Sequence, residues 1–178
     1  MAVKWRPLRS ETDDFEHVWR WLNDPAVAAW YQEAGGRPSR AYVREKYGPR
    51  SVPGAPVQAY MLEVDGTPAG YGQVYWVQDA EADVYGVPAT GRPAGGLDLF
   101  LGGSGWMGRG LGLVAVVGLL ACLRARGARL AVIDPDADNV RALATYRRAG
   151  FVSVRRLPAH SRRDGMVRDG EVMARDLD

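Results

Sequence analysis

Asp98 lies in Leu97-Asp98-Leu99-Phe100-Leu101. Strand alternation puts the three leucines on one face and Asp98 with Phe100 on the other. A carboxylate between apolar neighbours needs a partner or a purpose. It is either a structural hydrogen-bond acceptor, or a base or anchor for a substrate ammonium. Asn139 and Tyr146 are seven positions apart, two helical turns, and share a helix face. Tyr146 is then a core tyrosine with a satisfied hydroxyl or a proton donor. Two acidic groups stand elsewhere: Asp79, Glu81 and Asp83 with Tyr85, and Asp134, Asp136 and Asp138. Each reads as a solvated acidic segment. With Asp98 they would also make an acidic pocket for a polycation, in which Asp98 and Asp134 hold the amine while Asp83 and Tyr85 cover it. Trp30 and Tyr31 form the apolar face of a short helix or a surface for stacking on a sugar ring.

Gly108-Arg109-Gly110-Leu111-Gly112 follows a strand pattern and opens an uncharged helix. Closely spaced glycines let a backbone approach a ligand without a Cβ in the way. Free N–H groups at a helix start, with the helix dipole, favour phosphate, and Arg109 adds a charged contact. A tight turn against a sheet is the alternative. Two phosphate ligands compete. Gly110-x-Gly112-x-x-Ala115 fits a loose dinucleotide fingerprint, with Asp134 after the next strand as the ribose acid. That unit begins too late in the chain for a doubly wound sheet, and there is no Walker motif. The other ligand is coenzyme A, whose pyrophosphate uses the same cradle.

The stretch Asp134-Pro135-Asp136-Ala137-Asp138-Asn139 through Tyr146 to Gly150-Phe151 resembles the signature that follows the acyl-CoA loop in the Gcn5-related N-acetyltransferase superfamily. Within it the chain resembles the aminoglycoside 6′-N-acetyltransferases. This likeness rests on Trp21-Leu22-Asn23, Val27, Trp30-Tyr31, Arg37-Pro38, Gly70-Tyr71-Gly72-Gln73, Gly96-Leu97-Asp98 and Asp134-Pro135, over roughly Val3 to Phe151. The resemblance implies acetyl-CoA as cosubstrate, no metal, and a small polycationic amine as acceptor. It implies that Asp98 takes the amine's proton and Tyr146 protonates the departing thiolate. Leu99, Phe100, Leu101 and Asn139 would meet the pantetheine arm. Met107, Gly108, Arg109, Gly110, Leu111 and Gly112 would hold the pyrophosphate. Met107 stands where the family usually has Arg or Gln, a departure softened by the backbone's share of that contact.

These groups need elements to position them. Val3 to Leu8 reads as a strand. Thr12-Asp13-Asp14 caps a helix whose Phe15, Val18, Trp19 and Leu22 share a face. Asn23-Asp24-Pro25 breaks it, and a short second helix carries Val27, Trp30 and Tyr31. Gly35 to Pro38 is a loop, Ser39 caps a third helix through Tyr47, and Gly48 to Pro56 is irregular. Val57 to Val64, Asp65-Gly66 and Ala69 to Val77 form a hairpin. Gln78 to Gly96 reads as a long loop. Leu97 to Leu101 is a strand, and the glycine turn opens a helix that ends near Arg126-Gly127. Arg129 to Ile133 is a strand. Asp138 or Asn139 caps a helix ending at Ala149-Gly150. Phe151 to Leu157 and Glu171 to Leu177 are strands joined by a charged loop. The expected fold is α+β, of the α/β three-layer type, with a mixed central sheet flanked by helices in one domain spanning residues 1–178.

Composition agrees with a soluble globular domain. The 178 residues are 47% hydrophobic and 25% charged. Formal charge is +2, too even for an electrostatic nucleic-acid binder. One cysteine, Cys122, rules out an internal disulfide framework and reads as core packing. The longest uncharged run, Gly110 to Leu123, is shorter than the ~20 residues of a membrane span. Residues Met1 to Arg9 lack the apolar core of a signal peptide. A cytoplasmic monomer or homodimer is expected. Two rival functions remain: acetylation of another amine (a siderophore hydroxylysine precursor, a polyamine or a protein N-terminus), and a non-catalytic CoA- or nucleotide-binding module.

Overall fold

The computed structural model describes residues 1–31, 36–87, 92–163 and 165–178. Gly35 of the expected loop, and residues 88–91 of the expected long loop, lie outside these. In chain order the elements are β1 (Val3–Pro7), α1 (Asp14–Leu22), α2 (Pro25–Ala28), α3 (Arg40–Tyr47), β2 (Val57–Val64), β3 (Thr67–Trp76) and α4 (Asp79–Tyr85). Then follow β4 (Ala94–Leu101), α5 (Leu111–Ala125), β5 (Leu130–Ile133), α6 (Val140–Arg148), β6 (Val152–Arg163) and β7 (Met166–Asp176). The strands form one mixed sheet in the order β1-β2-β3-β4-β5-β7-β6. The pair β4–β5 is parallel, while β1–β2, β5–β7 and β6–β7 are antiparallel.

The chain divides into two compact units, Met1–Val74 with Asp98–Leu119, and Tyr75–Leu97 with Leu120–Asp178. In the first unit Asp65 (φ 48°) and Gly66 (φ 81°) both take positive φ, the turn that matches strand twist in a two-residue hairpin. One cluster there packs Phe15, Val18 and Leu22 of α1 with Val43 and Tyr47 of α3, Met61, Tyr71 and Phe100. A second packs Leu62, Val64 and Ala69 with Leu111 and Ala115 of α5, against Leu99 and Leu101. Phe100 and the pair Leu99/Leu101 thus serve different clusters, as strand alternation requires. Trp5 donates its indole N–H to the Ala115 carbonyl at 2.9 Å. The bare backbone of Gly118 makes room for this ring, since a Cβ there would sit 2.5 Å from Trp5 Cδ1. Arg6 binds both oxygens of buried Asp14, at 2.6 and 2.8 Å, and Glu63 at 2.6 Å. Burial pushes the Asp14 carboxyl up, but the bonds from Arg6 and from the Arg9 N–H outweigh it and hold it below the ordinary value.

In the second unit Ala82, Val87, Ala94, Leu130, Val132, Leu157, Val172 and Ala174 form the core. Here the structure departs most from the sequence reading. Residues 79–85 of the expected long loop are helical. Gln78 and Glu81 make a reciprocal capping box, and Gly86 closes the helix at φ 67°. β4 begins at Ala94, three residues before Leu97, because Gly95 and Gly96 leave space that Leu123 and Tyr75 fill. The expected charged loop between two short last strands is instead a long hairpin, β6 with β7. Its charges survive in strands because β6 ends the strand order and its outward residues face water.

Smaller differences have local causes. α2 ends at Ala28, so Trp30 and Tyr31 follow the helix and do not lie on it. Asp24 caps α2 by accepting from the Ala26 N–H. Asp13 makes no side-chain cap on α1, whereas the Thr12 hydroxyl accepts from the Asp14 N–H at 3.4 Å. Asn139, not Asp138, caps α6 by accepting from the Ala142 N–H at 3.1 Å. Asp138 pairs with Arg168 instead. The irregular stretch after α3 contains a 3₁₀ turn at Pro49–Ser51. Cys122 is half-buried, so its thiol is not fully within the core.

Candidate active site

Asp98 sits in β4 and is half-buried. Gln73, in the neighbouring strand β3, donates from Nε2 to Asp98 Oδ2 at 2.6 Å. The orientation of that amide is dictated from its other end. Gln73 Oε1 accepts from the Tyr71 hydroxyl at 2.7 Å and from Arg50 Nη1 at 2.5 Å. Arginine can only donate, so the oxygen must face Arg50 and the NH₂ must face the carboxylate. Tyr71 and Gln73 share a strand face by two-residue periodicity. Arg50 is held over the Tyr47 ring, 5.1 Å from its centroid. Tyr71 stacks on Phe100 at 5.3 Å, and Tyr31 meets Phe100 edge-on at 4.8 Å. Tyr31 is therefore built into the wall beside β4, whereas Trp30 is 42% exposed.

The glycine turn is open. Gly108 and Gly110 both have φ 76°, and a Cβ on either would meet no atom within 4 Å. Glycine is needed there for conformation, and the space above it is left clear. Arg109 lies over Trp106, 5.6 Å from the ring centroid. Met107 packs against the cluster of α1 and α3. Leu111 is buried and starts α5, whose first N–H groups, including that of Gly112, have no partner within the helix. This open helix N-terminus fits a pyrophosphate.

In the second unit Asp134 follows β5. Its Oδ2 accepts from the Tyr85 hydroxyl at 3.0 Å and lies 2.7 Å from His160 Nε2. The hydrogen bond to Asp134 holds the His160 imidazolium above its ordinary pKa, against a smaller opposing effect of burial. Asp136, 5% exposed, accepts from the Ser161 hydroxyl at 2.9 Å. Asp83 does not join this group through its carboxylate. Its side chain is exposed, and its carbonyl accepts from Arg155 at 3.3 Å. Tyr146 is buried on α6 and meets Phe151 edge-on at 5.9 Å. Among the described residues no group of three or more His, Cys, Asp or Glu could hold a metal ion.

Four residues of these arrangements were not singled out from sequence. Gln73 and Tyr71 were legible only as part of a motif, although their spacing already put both on one face. Arg50 sits in a stretch that reads as irregular. His160 is a lone histidine in a segment that reads as a loop, and nothing local points it at Asp134.

A mixed sheet with a parallel β4–β5 pair, followed by a glycine turn and a capped α6, is the framework of an acyl-CoA-dependent transferase. The chain belongs to the acetyltransferase (GNAT) domain family, which it matches over residues 10–158. Within that family it is 31% identical over 146 residues to aminoglycoside N(6′)-acetyltransferase type 1 of Klebsiella pneumoniae, covering 81% of this chain and 72% of the relative. The crystal structure of aminoglycoside acetyltransferase AAC(6′)-Ib in complex with coenzyme A superposes with TM-score 0.75 at 25% identity, over 98% of this chain and 95% of that one. Spermidine N-acetyltransferase from Vibrio cholerae, in complex with CoA and spermine, superposes with TM-score 0.79 at 14% identity, over 98% and 95%. That likeness shows the shared fold alone. Among the described residues no helix is long and apolar enough to cross a membrane.

Proposed function

We propose that this chain is an acetyl-CoA-dependent N-acetyltransferase that acetylates the 6′-amine of an aminoglycoside by direct transfer. The observation that carries the reading is the oriented carboxylate of Asp98, with Gln73 locked against it, in a chain related at 31% identity to an aminoglycoside N(6′)-acetyltransferase. Amines of this kind are largely protonated at neutral pH, by analogy with an α-amino group of pKa about 7.7–8.0. An ammonium has no lone pair, so the enzyme must bind a cation and then remove a proton. Asp98 takes that proton. Gln73 stabilises the charged carboxylate and keeps it aimed. The amine nitrogen then attacks the acetyl carbonyl carbon; a C–N bond forms and the C–S bond breaks. Tyr146 gives its phenolic proton to the thiolate that leaves, and the second proton, shed by the nitrogen as it becomes an amide, returns through solvent to the Tyr146 phenolate.

The turn from Met107 to Gly112 holds the CoA pyrophosphate with backbone N–H groups, and Arg109 adds charge. Leu99, Phe100 and Leu101 offer backbone groups to the pantetheine arm, as does Asn139 beyond its capping role. Asp134 and Tyr85 bind the acceptor, with Asp83 on the outer side of α4 and Trp30 and Tyr31 available to a sugar ring. The enzyme works in the cytoplasm as a monomer or homodimer, without a metal.

The test is acetyl-CoA turnover, read as free thiol, with kanamycin and with an analogue bearing a 6′-hydroxyl. Turnover of kanamycin alone is expected. Equal turnover of both moves the reaction to another amine. Turnover with spermidine or a peptide N-terminus but no aminoglycoside replaces the substrate and keeps the chemistry.

A further inference from the structure

His160 is placed by a device built for it. Between Leu157 and Ser161 the register of β6 against β7 shifts, so Leu157 pairs with Gly170 while Ser161 pairs with Arg168. The extra residues form a bulge, which re-aims a side chain that regular pairing would point elsewhere. Inside it Ala159 takes φ 54°, a left-handed conformation uncommon for a residue with a side chain. Asp169 clamps the bulge by accepting from the Ala159 N–H at 3.1 Å and from Arg156 at 3.0 Å. The His160 ring lies on Gly170, where a Cβ would come within 2.6 Å of Cδ2. The segment after β5 is tied to the same strand, since the Glu171 N–H donates to the Pro135 carbonyl and the Ala137 N–H to the Asp169 carbonyl. Bulge, bare glycine and tied segment together deliver the imidazole to Asp134 at 2.7 Å.

We propose that His160 is a specificity-determining residue of the acceptor site: it holds the cation position on Asp134 until an ammonium of a polycationic acceptor takes it over and His160 releases its proton. This rests on the reading of Asp134 as an acceptor-binding carboxylate. An imidazolium on Asp134 neutralises the charge that would attract a substrate cation. A second cation within hydrogen-bond reach of the same carboxylate meets the first as a like charge, and the imidazolium, by ordinary values the more readily deprotonated of the two, gives way. The groups around His160 leave it this part. Asp134 and Asp136 face it from the segment after β5, and both favour its charged form. Tyr85 of α4 shares Asp134 with it. On β7 Arg168 is paired with Asp138. On its own strand Ser161 is bonded to Asp136. A monoamine gains one contact for displacing one proton, whereas a polycation has further ammonium groups to place, so the device favours polycations.

Proton release makes acceptor binding pH-dependent. The KM for kanamycin should rise about tenfold for each pH unit below the His160 titration, one proton being exchanged. The chain has two histidines, His17 and His160, so imidazole NMR signals of the full-length protein separate with one variant, and His17 is the internal control. Saturating kanamycin should lower the His160 titration midpoint and leave that of His17 in place. His160→Gln keeps a hydrogen-bond donor without a titrating charge, so its KM should lose the steep rise at low pH. His160→Lys keeps the cation, so its KM should stay high between pH 6 and 8. Kanamycin binding, seen by calorimetry, with an unmoved His160 midpoint overturns the inference and leaves the proposed function standing. Failure of kanamycin to bind or be acetylated overturns the proposed function, and the inference with it.

Discussion

Gln73 Nε2 reaches Asp98 Oδ2 at 2.6 Å from the neighbouring strand, and Arg50 and Tyr71 hold the far end of the same amide. The carboxylate therefore receives a donor that cannot flip away. A hydrogen bond to a charged group is worth about 1.5–3 kcal/mol. Gln73→Leu should lower kcat roughly ten- to a hundredfold. Arg50→Met should cost less, since Tyr71 still pins the amide. Steady-state kinetics of both variants check this; an unchanged kcat in Gln73→Leu rejects the role.

Tyr146 is buried against Phe151 on α6. Tyr146→Phe keeps that packing and removes only the hydroxyl. General acid catalysis contributes typically 10²–10⁴-fold, and kcat should fall within that range with acetyl-CoA affinity retained. Single-turnover kinetics isolate the chemical step. Full activity there would exclude Tyr146 as the proton donor.

Acetyl-CoA should raise the melting temperature, by about 2.7 kcal/mol of added stability at a hundred times its Kd. NAD should not. Gly110→Ala places a Cβ in open space in the free protein but at φ 76°. A side chain in that conformation costs about 1–2 kcal/mol. The variant should fold and bind acetyl-CoA more weakly, as calorimetry would show. Undiminished binding would mean that the turn does not touch the ligand.

The Arg6–Asp14 pair concerns stability and not activity. Its side chains are 13% and 3% exposed. Removing one partner of a buried pair typically costs 3–5 kcal/mol, so Asp14→Asn should show about that loss in urea unfolding at pH 7. The pKa of Asp14 is lower folded than unfolded. Its contribution is complete above the ordinary carboxylate value and is lost as pH falls through the depressed folded value. The wild type should therefore weaken in that acidic window by more than the variant does. Equal acid sensitivity would place the effect on another carboxylate.

Sequence alone determined the features whose physics is local. The Asp65-Gly66 hairpin follows from the positive φ that its turn demands. A cap at Asp138 or Asn139, the closing glycines Gly127 and Gly150, and the alternation of Asp98 with its leucines follow from one strand's or one helix's own geometry, whereas the choice of Asn139 goes with the pairing of Asp138 to Arg168. The family signature is likewise a string of nearby residues. The departures have one source. Residues 79–85 read as loop because they carry little apolar periodicity, and a capping box and packed Ala82 made them a helix. The charged stretch of β6 read as loop because its strand character comes from pairing with β7, not from its own residues. The contacts of Gln73 with Asp98, Arg50 with Gln73 and His160 with Asp134 span 25, 23 and 26 positions. Such pairs are chosen by strand register and by a bulge. These are properties of the assembled sheet that no window along the chain contains.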